Sequence, residues 1–213
     1  MKAFRTHRGR AVVMAQDNVN TDQIIPSREM KRVSKVGLSD GLFANIRYTD
    51  AATGGRTPDP EFVLNQPEAK GTSILISGAN FGCGSSREHA VWALKEFGFR
   101  VIVAESFGTI FYDNCIANGV LPITLASADI QKLAAASAAH EMTVDLESQI
   151  LRAADIELTF SIPETKRQML LNGWAPIDVT LQDHAVIDAF VTVDKSRRPW
   201  LYKSRSQERS EET

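Results

Sequence analysis

The sequence is poor in cysteine. Among 213 residues there are only two, Cys83 and Cys115, far apart and in no CxxC pattern. A disulfide framework is excluded by that count, and so is a zinc site built on paired thiolates. Two thiolates are also too few for an iron–sulfur cluster, which takes three or four. Any cluster this chain works with must be held by another chain. Long apolar runs are missing too: no stretch approaches the roughly 18 residues of a membrane helix. The apolar stretch at residues 11–15 is too short for a signal peptide, so a cytoplasmic place is expected. Charge of one sign is not in excess. The formal net charge of -2 gives no general attraction to nucleic acid or to acidic membranes. What remains is an ordinary globular composition, 43% hydrophobic and 23% charged, long enough to bury a full core.

Within that frame the chain alternates. "FRTHRGRAVVMAQ" reads as one opening strand ending in the polar turn "DNVNTD". Residues 26–47 are mixed, with helix-compatible pieces broken by Gly37 and Gly41. Residues 48–60 are dense in glycine, proline and short polar residues and read as a surface loop. From residue 72 the pattern is clean. "TSILIS", "RVIVAE" and "VLPITL" are short buried strands, separated by helical stretches that begin near Ser85 and Ser106, and an alanine-rich helix follows at 127–137. Strand–helix alternation of this kind predicts right-handed crossovers and a parallel sheet. "MTVDLES" and "DIELTFSI" read as a β pair, "PETKRQMLLNG" as a helix, and residues 176–193 as a last helix. One domain is expected over 1–194, followed by a charged tail at 195–213 in which Trp200, Leu201 and Tyr202 are the candidates for docking on a partner.

The stretch "NFGCGSSREHA" at 80–90 carries the candidate chemistry. It admits three readings. As a dinucleotide loop it has the strand–helix context, G-x-G at Gly82 and Gly84, and an acidic residue, Glu105, about 20 positions on; but Arg87 stands where close packing needs a third glycine. As a nucleophile, Cys83 precedes a helix start, yet His89 is the only nearby histidine and is expected more than a turn inside the helix. The third reading rests on "SSRE". Ser85-x-x-Glu88 fits a capping box, which explains those two residues without chemistry. It does not explain Ser86 and Arg87. A cation at the positive end of a helix is disfavoured by about 0.3–1 kcal/mol, so Arg87 there points to a bound anion. Helix amides, two hydroxyls and a guanidinium fork make a carboxylate pocket.

"GCGSSREHA", with "NVNTDQIIP" (18–26) before it, "PDPEFVLNQP" (58–67) and "FGTIFYDNCIANGVLP" (107–122), resembles the swivel domain of the aconitase superfamily, and within it the separate small subunits of isopropylmalate dehydratases. The resemblance runs from about residue 4 to about 190, in matching order. It implies an α/β fold: a swivelling β/β/α domain with a mainly parallel central sheet flanked by helices. It also implies a large-subunit partner carrying a 4Fe–4S cluster, with no metal or cofactor on this chain. The implied reaction is a hydro-lyase isomerisation of 2-isopropylmalate to 3-isopropylmalate through 2-isopropylmaleate, in leucine biosynthesis. By position, Ser85 matches the catalytic base and Asp22 a catalytic active-site residue. Ser86 and Arg87 match carboxylate-holding residues, and Thr21 the polar partner of Asp22. Lys31 falls where relatives carry a substrate-selecting cation, in a loop of about 26–47 that also holds Arg28. That loop departs from common patterns at Glu29 and Met30, and with Arg28, Lys31 and Arg32 it suits a more acidic substrate equally. Homoaconitate, citraconate or aconitate types of 2-hydroxy acid stay open, as does a nucleotide-binding module using the glycine loop.

Overall fold

The computed structural model describes residues 1–30, 36–137 and 140–202. Two compact units are present, residues 1–174 and 175–213.

In the first unit the parallel sheet consists of β2 (Ala11–Met14), β3 (Ile74–Ser77), β4 (Val101–Ala104) and β5 (Leu121–Thr124), in that spatial order. Every neighbouring pair is parallel. β3 and β4 are buried at every residue, because the sheet is covered on both faces. The alternation of side chains sorts those faces. Val12, Met14, Leu75, Ile102 and Ala104 join the core built with α3 (Glu88–Phe97) and α4 (Thr109–Asn118). Val13 and Ile76 point the other way, toward Ile130 and Ala134 of α5 (Ser127–Ser137). The expected mainly parallel α/β architecture is therefore present.

A second, antiparallel sheet has the order β1–β6–β7–β8, from Thr6–Gly9, Met142–Asp145, Ile150–Ala153 and Ile156–Thr159. It corrects the sequence reading twice. The opening strand is two strands: β1 pairs antiparallel with β6, whereas β2 pairs parallel with β3. Arg10 alone separates them, and its carbonyl accepts the amides of Ser73 and Ile74. The expected β pair is a three-stranded meander, since "ILRA" forms β7 between the other two.

Between β2 and β3 lie α1 (Thr21–Ile24), a 3-10 turn at Ser27–Met30, another at Ser39–Gly41, and α2 (Ala44–Arg47). Glu96, near the end of α3, holds the start of the second stretch: its carboxylate accepts from the amides of Gly37 (2.6 Å), Leu38 (2.5 Å) and Ser39 (2.9 Å). Partial burial works to raise that carboxyl, but the three amides outweigh it and hold Glu96 below the ordinary carboxylate range. Residues 48–58 close as a loop through Thr49 N to Thr57 O (3.0 Å) and an isolated bridge of Tyr48 with Pro58. The first unit ends with α6 (Glu164–Asn172), stopped by Gly173 in the left-handed region at φ 71°.

In the second unit the expected single helix is broken into α7 (Pro176–Thr180) and α8 (His184–Arg197), with a 3-10 turn at Leu181–Asp183 between them. The expected domain boundary at 194–195 falls inside α8. Its late cations, Lys195 and Arg197, suit a helix C-terminus rather than ending the helix. Asp194 is buried there under Arg198 Nε (2.7 Å) and Tyr202 Oη (2.8 Å), so the start of the expected tail is ordered, while Trp200 and Leu201 stay exposed. Residues 203–213 of that tail lie outside the described residues.

Candidate active site

The carboxyl ends of β2, β3 and β4 feed three loops that zip together along their backbones. Asn18 N bonds Ala79 O (2.8 Å), Gly82 N bonds Val19 O (2.7 Å) and Thr21 N bonds Cys83 O (2.9 Å). On the far side Phe81 N bonds Ser106 O and Gly108 N bonds Phe81 O, both at 2.9 Å. Ligands of open parallel sheets bind at this edge. The glycines serve the zipper. Gly82 has φ 73°, and a Cβ on it would lie 2.1 Å from the Phe111 ring. A Cβ on Gly108 would lie 2.6 Å from the Gly82 carbonyl oxygen. A cleft of about 220 Å³ opens beside this crossing, lined by Gly82–Ser85 and Gly108–Phe111.

Thr21 and Ser85, remote in sequence, meet here. The Thr21 hydroxyl donates to the Ser85 carbonyl (3.0 Å) and lies 3.2 Å from Ser85 Oγ. Thr21 is 1% exposed, whereas Ser85 and Ser86 are open to solvent. Thr21 is fixed because "NTDQ", read from sequence as a turn, is a single helical turn with its own capping box. Asn20 Oδ1 accepts from Gln23 N (2.8 Å) and Gln23 Oε1 from Asn20 N (3.0 Å). The N-x-x-Q spacing was the signal for it.

The capping box expected at Ser85–Glu88 does not form. α3 starts at Glu88, its N-cap residue is Arg87, and no side chain caps it. Ser85 lies two residues too early. Glu88 Oε1 accepts instead from Asn118 Nδ2 of α4 (2.8 Å) and from Trp92 Nε1 one turn on in α3 (3.2 Å). The first amides of α3 are thus left without a side-chain partner. Arg87 forms an ion pair through Nη1 with Asp22 Oδ1 of α1; the guanidinium side chain is 25% exposed and the carboxylate 55%. Four expected residues, Thr21, Asp22, Ser85 and Arg87, are therefore joined by direct contacts, and Ser86 stands between two of them.

Arg28 is not part of this group in any described contact. It bonds Asn45 Oδ1 (2.5 Å) and Glu29 Oε1 (3.3 Å) in a separate cleft. Lys31 lies outside the described residues. His89 is the second residue of α3 rather than more than a turn inside it, and it packs on Trp92 with ring centroids 4.5 Å apart. Glu105 lines another cleft, with Asp17 and Ser127. The donor set does not fit an iron–sulfur cluster: Cys83 sits in the glycine loop, and burial pushes the Cys115 thiol well up. Among the described residues no three or more histidine, cysteine or acidic side chains group to hold a metal, and no helix is long and apolar enough to cross a membrane.

The chain is similar to known proteins over nearly its whole length. The profile of the aconitase C-terminal domain matches residues 1–128. A 3-isopropylmalate dehydratase small subunit of Cupriavidus necator is 54% identical, covering 95% of this chain and 99% of that one. The corresponding subunit of Bacillus cytotoxicus is 46% identical over 89% of this chain and 96% of its own. The crystal structure of a 3-isopropylmalate dehydratase from Methanocaldococcus jannaschii superposes with a TM-score of 0.62 at 26% identity, covering 86% of this chain and 98% of that one. With the glycine loop, the Thr21–Ser85 contact and the parallel sheet that holds them, the chain belongs to the small-subunit family of 3-isopropylmalate dehydratases, whose fold is the aconitase C-terminal domain.

Proposed function

We propose that the chain is the small subunit of a hydro-lyase that interconverts 2-isopropylmalate and 3-isopropylmalate. The observation that carries this reading is the contact of Ser85 with Thr21 beside the Arg87–Asp22 pair, at the uncapped start of α3.

The proposed roles join what the resemblance implies to the contacts these residues make. Ser85 Oγ, as alkoxide, takes the carbon-bound proton while hydroxide leaves the adjacent carbon and a double bond forms. Hydroxide then adds to the carbon that lost the proton, and Ser85 returns its proton to the carbon that lost the hydroxyl, which regenerates the alkoxide. Before ionisation Thr21 fixes the rotor of Ser85, donating to its carbonyl and accepting from its hydroxyl. Asp22 uses one nitrogen of Arg87, so it orients the guanidinium and leaves its remaining N–H groups for a substrate carboxylate. Ser86 and the open amides of α3 complete that carboxylate site.

Ionising Ser85 is beyond what this chain supplies. A helix N-terminus contributes at most about 2 kcal/mol, or about 1.5 pKa units. Ser85 is exposed and two residues short of the helix, which reduces even that. A large subunit must exclude water from the site and add positive charge. We place the 4Fe–4S cluster there, since the residues of this chain do not fit one. Reconstitution tests the reading: the chain alone should show no dehydratase turnover, and the complex with its large subunit should isomerise isopropylmalate. Turnover by the isolated chain, or a complex active only on citrate or homocitrate derivatives, would overturn it.

A further inference from the structure

Glu88 opens α3 directly after Arg87. A carboxylate there is drawn to the uncapped amides of the helix and to the guanidinium beside it. Among the described residues, however, it forms no ion pair with Arg87, whose partner is Asp22. Its bonds run to the side of α3 that meets α4. Oε1 accepts from Asn118 Nδ2 at 2.8 Å and from Trp92 Nε1 at 3.2 Å. Trp92 stands one turn on in α3 and so shares that face, and its ring also packs on His89.

Asn118 is the centre of this arrangement. It is the last residue of α4 and only 8% exposed. Its Nδ2 donates to Glu88 and to the Asn114 carbonyl (2.9 Å), and its Oδ1 accepts from Trp92 Nε1 (3.0 Å). Its own carbonyl accepts from Lys95 Nζ (2.7 Å). Two acceptors on one side and an indole donor on the other suit an amide and no other side chain of its size. Leucine offers no polar atom, and an aspartate would set two carboxylates against each other. Packing α3 on α4 needs none of this, since apolar residues would serve that contact as well. What the network adds is a fixed place for the Glu88 charge.

We propose that Asn118 is a positioning residue for substrate binding. With Trp92 it holds the Glu88 carboxylate on the α4 side of α3, so that Arg87 and the first amides of the helix are left to a substrate carboxylate and not taken by an internal one. The inference rests on the reading of Arg87 and the start of α3 as the carboxylate site.

Kinetics of the complex with the large subunit test it. Released from Asn118, Glu88 competes with the substrate, so Asn118→Ala should raise KM for isopropylmalate roughly three- to tenfold with kcat unchanged. The rise is less than a whole charged hydrogen bond because Trp92 still holds the same oxygen. Glu88→Gln alone should leave KM as it is, since glutamine accepts the same two bonds without charge. Combining it with Asn118→Ala should restore the original KM; a residue that only packs the two helices would not be rescued by a second substitution. Trp92→Phe keeps a ring on His89 and loses the donor. It should raise KM by a smaller factor, again only while Glu88 is charged, and it decides the matter if Asn118→Ala does not fold. An unchanged KM in both Asn118→Ala and Trp92→Phe, or a rise that persists after Glu88→Gln, would overturn the positioning role. A failure of the carboxylate site itself would look different, as undiminished kcat/KM in Arg87→Lys.

Discussion

Two helices begin beside each other at the candidate site and begin differently. α1 closes its own start, with Asn20 and Gln23 satisfying each other's amides. α3 begins at Glu88 with no side-chain cap, although two serines stand within reach in sequence. The first start is finished by its own residues and exists to hold Thr21 still. The second is unfinished: no side chain caps it, and Arg87 at its start is held by Asp22. Capping residues mark structure where they cap; where they do not, we propose that an anion completes the start.

Mutations can break that contrast. The largest effect belongs to Ser85→Ala in the complex with the large subunit: kcat should fall by roughly 10²–10⁴. Because Ser85 caps nothing, thermal unfolding of the chain should be unchanged within about 0.5 kcal/mol, and a loss near 1 kcal/mol would mean that it is a cap after all. Next comes Arg87→Lys, which keeps the charge and loses the fork; kcat/KM should drop roughly ten- to a hundredfold, the equivalent of one charged hydrogen bond. Steady-state kinetics on the complex would show it, and undiminished values would end the carboxylate role. The smallest change in turnover is expected for Asn20→Ala. It removes a true cap, so unfolding should register about 1 kcal/mol while kcat shifts less than in either loop variant. A kcat loss equal to that of Ser85→Ala would show that the capped turn also does chemistry.

Much of this was legible in the sequence. β3, β4 and β5 are uninterrupted apolar runs, and α3 and α4 end at Gly98 and Gly119, so the parallel half could be read locally. Four of the residues that meet at the candidate site, Thr21, Asp22, Ser85 and Arg87, lie in short motifs that stand out in the sequence. What could not be read was non-local. Arg87 and Asp22 stand 65 positions apart, and nothing in either segment announces their ion pair. The split of the opening strand hangs on Arg10, a residue as compatible with one long strand as with two. Ser85-x-x-Glu88 satisfied the spacing of a capping box, but the backbone enters the helix two residues later, and Glu88 found Asn118 and Trp92 instead. The middle strand of the meander, "ILRA", is hard to read because it buries only Leu151 and Ala153, with Arg152 exposed between them.

The single-residue junction at Arg10 also orders events in time. Among the described strands β1 pairs with β6 alone, and residues 142–145 leave the ribosome after β2, β3, β4 and β5. The parallel sheet, with the loops that carry Ser85 and Thr21, can therefore assemble while the first strand of the chain still waits for its partner.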